Sequence, residues 1–494
     1  MRKLILTGLA GIALTGCQTT PDALSSQDIA MNADYLRAQV TSGQEAVAQP
    51  ISLYEAMARA LKYNLDHRVA MMELDLAQKD YDLSSYKHLP RIVASGGYYG
   101  RDNEAGASSI SLLSGQESLE PSTSTERSFL SGDLTASWNI LDFGLSKIRS
   151  EQLGDEVLIY EERKRKAIIQ IMEDVHSAYW RAVSAEKLGQ RLSQLESDVR
   201  TAFDNSRQLY SARRTAPMPA LSYQRELNDI QAQAQRLQRE LALAKMELSA
   251  LMGLTADVSF TLKTPSITPR PARLAQDISN MMDVALRQRP EIREAAYSVR
   301  ISDAEMRAAV LEAFPSLEGF AGVNGNTNSF LFNNDWLTYG AKASWNLISV
   351  FETPVRKKRA KAAADLERQK ALATAMAIMT QVSVSRARYE MLTQEYDTAN
   401  QGTQVQSDIL AQIETLARSN STSRQALIRE QMNALMSESR RDALHAELQE
   451  AMANVYTAMG YDPFGVDING TEDIAQIASH LEALWGSRQL SPGL

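Results

Sequence analysis

One cysteine stands in 494 residues, Cys17, so no intramolecular disulfide can form and a multi-cysteine metal site is excluded. Beyond the N-terminus no stretch approaches the 18 or so apolar residues that a membrane-crossing helix needs, so any passage through a bilayer must be made by strands. The net charge of -8 is modest for this length, and no basic run with interleaved aromatics occurs, which argues against nucleic acid as a partner. His67, His88, His176, His445 and His480 are scattered. None has the i,i+4 spacing of a helical zinc site, and no phosphate-cradling Gly-Lys loop is present. The residues support no enzyme, no metal and no cofactor. Proline is missing from about Ser146 to Arg213, which permits one very long helix.

The first residues carry an address. Arg2 and Lys3 precede an apolar run from Leu4 to Leu14 that ends in Thr15-Gly16-Cys17, the order of an export signal. The run is too short to span a bilayer as a helix. Leu14-Thr15-Gly16-Cys17 resembles the bacterial lipobox, which implies cleavage after residue 16 and a lipid on Cys17. Gln18 stands where an aspartate would mark inner-membrane retention, so that resemblance implies the outer membrane. The reading is a signal peptide over 1–16 and a lipid-anchored polar tether over 17–50.

What the chain has in abundance is repetition. Ala136-Ser137-Trp138-Asn139 recurs as Ala343-Ser344-Trp345-Asn346, and Met252-Gly253-Leu254 as Met459-Gly460-Tyr461, a tandem duplication. The copies span 51–254 and 277–460, each a helix, a strand pair and a helical hairpin. A linker at 255–276 holds Thr264-Pro265 and Pro269-Arg270-Pro271. The segment 461–494 contains an amphipathic helix through Ile474, Ile477, Leu481 and Leu484, expected to pack around the molecule's waist.

Within each copy two periodicities alternate. Leu188, Leu192, Leu195, Val199, Ala202 and Leu209 fall on a heptad seam, and so do Leu227, Ile230, Ala234, Leu237, Leu241, Ala244, Leu248 and Leu251. In the second copy Leu444, Leu448, Ala451, Val455 and Ala458 continue the pattern. A helix of about 65 residues reaches roughly 100 Å, so these are rods. Thr215-Ala216-Pro217-Met218-Pro219 turns the first hairpin, and Arg418-Ser419-Asn420-Ser421 the second, with Thr422 and Gln425 spaced as a capping box. Four segments alternate with period two instead. Leu134, Ala136, Trp138 and Ile140 oppose Asp133, Thr135, Ser137 and Asn139, while Leu337, Tyr339, Ala341, Ala343, Trp345 and Leu347 oppose Thr338, Gly340, Lys342, Ser344 and Asn346. Partner strands run through Ile92, Ala94 and Tyr98 and through Leu317, Ala321 and Val323. An oily and a wet face on strands of about ten residues is the transmembrane-barrel pattern. Four strands cannot close a barrel, and an open edge cannot stand in hydrocarbon. Several chains must therefore share a wall, and three would give twelve strands with room for a pore.

Taken in this order, helix, strand, loop, strand, long helix, tip turn and return helix, performed twice over residues 51 to 460, resemble the TolC-type outer-membrane factors. Leu89-Pro90 and Phe314-Pro315 match that family's helix-to-strand step, Asn64-Leu65 and Arg289-Pro290 its Asn-Pro position, and Trp138 to Gly144 its strand-to-helix step. The fold class expected is α+β, mainly α: a tandem-repeat protomer of a homotrimer, with a twelve-stranded transmembrane β-barrel continuous with a twelve-helix periplasmic α-barrel. The resemblance implies an exit duct in the bacterial outer membrane, working with a periplasmic adaptor protein and an inner-membrane transporter. A proton-driven pump and an ATP-driven one, type I protein secretion included, both fit. A lipid-anchored coiled-coil scaffold would explain the rods but not the strands.

By the same resemblance the hairpin tips, Arg213, Arg214, Thr215 and Ala216 with Arg418, Ser419 and Asn420, contact the adaptor or pump. Arg213 and Ser419 stand where the family usually has glycine. Where the family narrows its tunnel with acidic rings, this chain has Ser407 and Leu410. Asp408 and Glu414 lie nearby: either they supply a three-fold acidic ring or they are solvated outer-face positions. Trp138 and Trp345 are expected to face outer-membrane lipid. The second strand-to-helix step, Leu347 to Pro354, lacks the aspartate and glycine of the first, so a different joint is expected there. Arg163-Lys164-Arg165-Lys166 and Arg356-Lys357-Lys358-Arg359 are either solvated helix faces or contacts to lipid headgroups. The loop 102–130 should lie outside the cell.

Overall fold

A computed structural model describes residues 23–40, 42–47, 50–118, 120–212, 216–255, 258–264, 277–419, 421–460 and 472–489. The signal peptide with Cys17, the tip residues Arg213, Arg214, Thr215 and Asn420, and most of the linker lie outside them. Helix α1 (Ser26–Val40) falls in the stretch read as a tether. The first copy then runs α2 (Leu53–Tyr63), α3 (Leu65–Tyr86), β1 (Arg91–Gly100), β2 (Ser128–Asn139), α4 (Ile140–Ser211) and α5 (Pro217–Leu251). The second repeats it as α6 (Ile278–Gln288), α7 (Pro290–Leu311), β3 (Ser316–Asn326), β4 (Asp335–Ser344), α8 (Leu347–Arg418) and α9 (Arg424–Ala458), before α10 (Ile474–Gln489).

The duplication is exact in helix length: α2 and α6 have 11 residues each, α3 and α7 have 22, α4 and α8 have 72, and α5 and α9 have 35. A rod of 72 residues is about 108 Å long. Gly253 and Gly460 both end a return helix at positive φ, 74° and 75°, the left-handed step that glycine takes without steric cost. Both rods start in the same way. The side chain of Asn139 accepts from Leu141 N and Asp142 N, and that of Asn346 from Ile348 N. The second joint nevertheless differs: β2 passes directly into α4, whereas Trp345 and Asn346 separate β4 from α8 and only one backbone N–H is capped, although an asparagine serves as the cap in both. A further departure follows at Pro354, which sits inside α8.

Below the waist α4 pairs with α5 and α8 with α9, and α9 lies against α4. Leu188, Leu192, Leu195, Val199 and Ala202 mesh with Leu227, Ile230, Ala234 and Leu237, and α9 adds Ile428, Met432 and Leu435. Leu209, the last expected seam member, is exposed near the rod's end. The expected capping box at Thr422 and Gln425 is displaced by one residue. Ser423 caps α9 by accepting from Ala426 N, and the Gln425 amide instead reaches Glu226 on α5. Above the waist α7 lies between α4 and α8, and its contact with α4 is ionic. Arg307 meets Glu151, Arg300 meets Asp155, Arg149 meets Glu305, Arg293 meets Glu162, Arg163 meets Glu294 and Lys166 meets Glu291. Arg165 donates to the Gln288 and Gly460 carbonyls. The Arg163–Lys166 cluster is thus neither a free solvated face nor near a membrane strand: three of its four members tie α4 to the start of the second copy.

At the waist, α2, the middle of α4, the end of α5, residues 258–262 and α10 share one core, with Met57, Met172, Tyr179, Leu248, Ile477 and Leu481 in it. Helix α10 lies against α2 in this core through Ile474, Ile477 and Leu481. Tyr179 donates its hydroxyl to the Ile51 and Lys263 carbonyls. Buried Arg59 donates to the Glu45 and Ala46 carbonyls, fixing the entering chain to α2. A second core joins α6, α8 and α9 through Met281, Ala285, Ile378, Val382, Leu448 and Val455.

Candidate transport conduit

The four strands form one antiparallel sheet in the order β1-β2-β3-β4, and its register decides which side chains share a face. Ile92 pairs with Ala136, Ala94 with Leu134 and Tyr98 with Leu130. Leu134 in turn pairs with Val323, Ala136 with Ala321 and Trp138 with Gly319. Leu317 pairs with Ala343, Ala321 with Tyr339 and Val323 with Leu337. Because directly opposed residues point the same way, these make one apolar face. The other face holds Arg91, Ser95, Asp133, Thr135, Asn139, Glu318, Asn324, Thr338 and Lys342, with Glu318 opposite Lys342 and Ser95 donating to Asp133.

Four aromatics interrupt the polar alternation. Tyr99 stacks on Phe129 at 5.3 Å, the Phe320 ring covers Gly340 from the opposed position, and Trp336 pairs with Asn324. An aromatic laid over a cross-strand glycine restores contact where no side chain exists. The two expected lipid-facing tryptophans differ. Trp138 lies in β2 on the apolar face, half-exposed and edge-on to Phe143 at 5.5 Å. Trp345 lies just past β4 and donates its indole N–H to the Ala313 carbonyl at 3.1 Å, at the junction of sheet and helices.

Both sheet edges, β1 and β4, are unpaired among the described residues. The helices that continue those edges are also uncovered. On α3, Leu65, Val69, Met72, Leu76, Leu83 and Tyr86 are exposed at steps of three, four and seven residues, and on α8 Ile348, Phe351 and Val355, then Leu372 and Met376, are exposed as well. Further down α8, Val384, Met391 and Val405 recur at multiples of seven, also exposed. Sequence reading passed over these rows although their spacing was visible; without contacts they look like ordinary helix residues.

At the tips, Ala216 precedes α5 with no side-chain cap bond, and Pro217 occupies the first turn. Arg418 closes α8, exposed, donating to the Thr415 hydroxyl. Ser419 caps the rod and donates to the Leu416 carbonyl and to Ser421. Asp408 and Glu414 are both exposed on the distal part of α8. Asp408 accepts from the Gln404 amide at 3.2 Å, and neither acid has an ion pair among the described residues.

One constellation was not legible at all. His176 and Trp180 on α4 meet His445 on α9 and Tyr396 on α8, with Trp180 edge-on to His445 at 4.6 Å and Tyr396 at 5.4 Å from it. Burial, with His445 nearby, pushes His176 down to about 4. Burial also lowers His445, opposed by Asp442 and reinforced by Arg441. The Trp180 indole N–H is buried without a partner among the described residues. No group of three or more residues able to hold a metal occurs among the described residues, and none of their helices is long and apolar enough to cross a membrane.

The family described as outer membrane efflux protein matches residues 56–254, nearly the whole first copy. Cation efflux system protein CusC of Escherichia coli (strain K12) is 24% identical over 371 residues, covering 71% of this chain and 74% of that protein. The probable outer membrane lipoprotein SilC of Salmonella typhimurium is 23% identical over 368 residues, covering 72% of this chain and 74% of that protein. The solved outer membrane channel CmeC of Campylobacter jejuni has the same fold, with a TM-score of 0.63 over 94% of this chain and 97% of that one at 14% identity. A two-faced sheet continued by two matched pairs of rods is the fold shared with that solved channel, and residues 56–254 are similar to the outer membrane efflux protein family.

Proposed function

We propose that three copies of this chain close a twelve-stranded barrel in the outer membrane and continue it as a helical tunnel into the periplasm, conducting solutes passively from an inner-membrane transporter and its periplasmic adaptor to the exterior. The observation that carries this reading is the pair of unfinished edges. In hydrocarbon every unpaired strand group costs several kcal/mol, so β1 of one copy and β4 of the next have to pair. The exposed rows on α3 and α8 lie directly below those edges and run in opposite directions, as an antiparallel helix pair requires. Four strands per chain make eight for two copies, too narrow for a path, and twelve for three. The apolar face, with Trp138, then meets lipid and Trp345 sits at its lower boundary, while the wet face lines the pore. Acylation of Cys17 adds an anchor beside the barrel.

The hairpin tips, from Arg213 to Ala216 and from Arg418 to Asn420, are the segments proposed to meet the adaptor or transporter; of these, Ala216, Arg418 and Ser419 are described and exposed. Asp408 and Glu414, both without ion pairs among the described residues, are proposed as acidic rings near that end. The test is conductance of the purified protein in planar bilayers. Discrete openings are expected, enlarged by Asp408→Asn or Glu414→Gln if either ring narrows the pore, and unchanged if these positions face outward. A protein that never conducts refutes the channel.

A further inference from the structure

Helix α1 buries no residue against the rest of its own chain. Yet it is a well-formed element: Ser25 donates its hydroxyl to Asp28 at 2.6 Å, and Asp28 N donates back to Ser25, an N-terminal cap. A helix of 15 residues is marginal in water without a packed face. The face is there. Ile29, Ala33, Leu36 and Val40 recur at steps of four, three and four, the row that packs against another helix. Its charged residues are Asp28, Asp34 and Arg37, with no lysine, whereas helices that lie on bilayers carry basic polar faces.

The position of α1 is bounded at both ends. The chain joins the body at the waist, where Gln44 donates to the Gly253 carbonyl at 2.6 Å and Glu45 N to the Tyr63 hydroxyl at 2.9 Å. That is the level at which α3 begins its climb of about 33 Å toward the strands. At the other end nine residue steps lead from Cys17 to Ser26, a reach of about 30 Å. A helix about 22 Å long, held between waist and bilayer, must run along the wall of the tunnel. At that height α8 presents Lys357, Lys358 and Lys361, exposed and without ion pairs among the described residues, a charge complement to Asp28 and Asp34.

We propose that α1 is a clamp that seats on the neighbouring copy of this chain, its apolar row over the subunit boundary and its two aspartates toward the lysines at the top of the neighbour's α8. The proposal rests on the ring and on an acylated Cys17. The experiment uses the full-length, lipidated protein in detergent, and the mass of the wild-type complex is measured first. With the ring established, Ile29→Asp/Leu36→Asp is expected to speed subunit dissociation on heating roughly tenfold or more, since it strands two apolar contacts per boundary. Because both side chains are exposed within the protomer, its folding should be unaffected, which circular dichroism checks. An Asp28→Cys/Lys361→Cys protein should form a disulfide between chains, read as a reducible band above monomer mass. A monomeric wild type overturns the ring and the clamp together. A ring whose dissociation ignores the double aspartate variant, or a crosslink confined within one chain, overturns the clamp alone. Unchanged dissociation with weaker partition into liposomes would instead assign α1 to the bilayer.

Discussion

At the residue scale, the repeat is enforced by positions that admit only one side chain. A Cβ on Gly460 would stand 2.7 Å from the Gln288 carbonyl carbon and the Arg289 amide nitrogen, so Gly460→Ala meets rigid backbone as well as a strained φ. It should destabilise the second copy by more than about 1 kcal/mol, which chemical unfolding will register. Gly253→Ala faces Tyr63 side-chain atoms first, at 3.0 Å, and should cost less. The histidine pair gives the fold a pH dependence of known sign. His176, held at about 4, and the lowered His445 are neutral in the fold but protonate near 6.5 when unfolded. Between these values the unfolded chain binds more protons, so their contribution is intact above about pH 6.5 and fades as pH falls toward 4. The melting temperature should drop over that window, and His445→Gln should flatten the drop. An unaltered slope in the variant would show that other groups govern it.

At the element scale, the two halves of the rods are held by different forces. Below the waist the seam is apolar, and Leu227, fully buried among α4 and α9 side chains, should cost about 2–5 kcal/mol when cut to alanine. Above the waist the α4–α7 contact is a ladder of ion pairs whose cations are exposed, each worth little alone. High salt should therefore loosen the upper rods before the lower ones, as hydrogen exchange on α7 and α5 can compare. How much was legible follows the same division. The lower seam and the strand faces follow from local spacing, because period 3.5 and period 2 leave their signatures within ten residues. The ladder does not, because Arg300 and Asp155 lie 145 positions apart and nothing local marks them as partners. Ser423 won the cap over Thr422 because Gln425 was drawn to Glu226, a tertiary preference that no local motif contains. Helix α1 went unread because its row of four has two small steps of side chain and no leucine run.

At the scale of the molecule, the proposed ring makes each chain a sector. Leu76 on α3 is 63% exposed and Phe351 on α8 is 82% exposed, and each should be covered by the other edge of the next copy. Leu76→Glu or Phe351→Glu is expected to leave a folded protomer that fails to assemble, with light scattering in detergent reporting one chain instead of three. A full ring from either variant would place the boundary elsewhere. Of the proposed conduit only part was legible: the need for more than one chain follows from four strands, whereas the residues proposed for the boundary and the tips depend on packing. The equal lengths of the paired rods carry an evolutionary corollary. With both hairpins reaching one docking plane, as proposed above, a lineage that gains or loses a heptad in one gene half has to make the matching change in the other, and length variants among descendants should occur as twin indels.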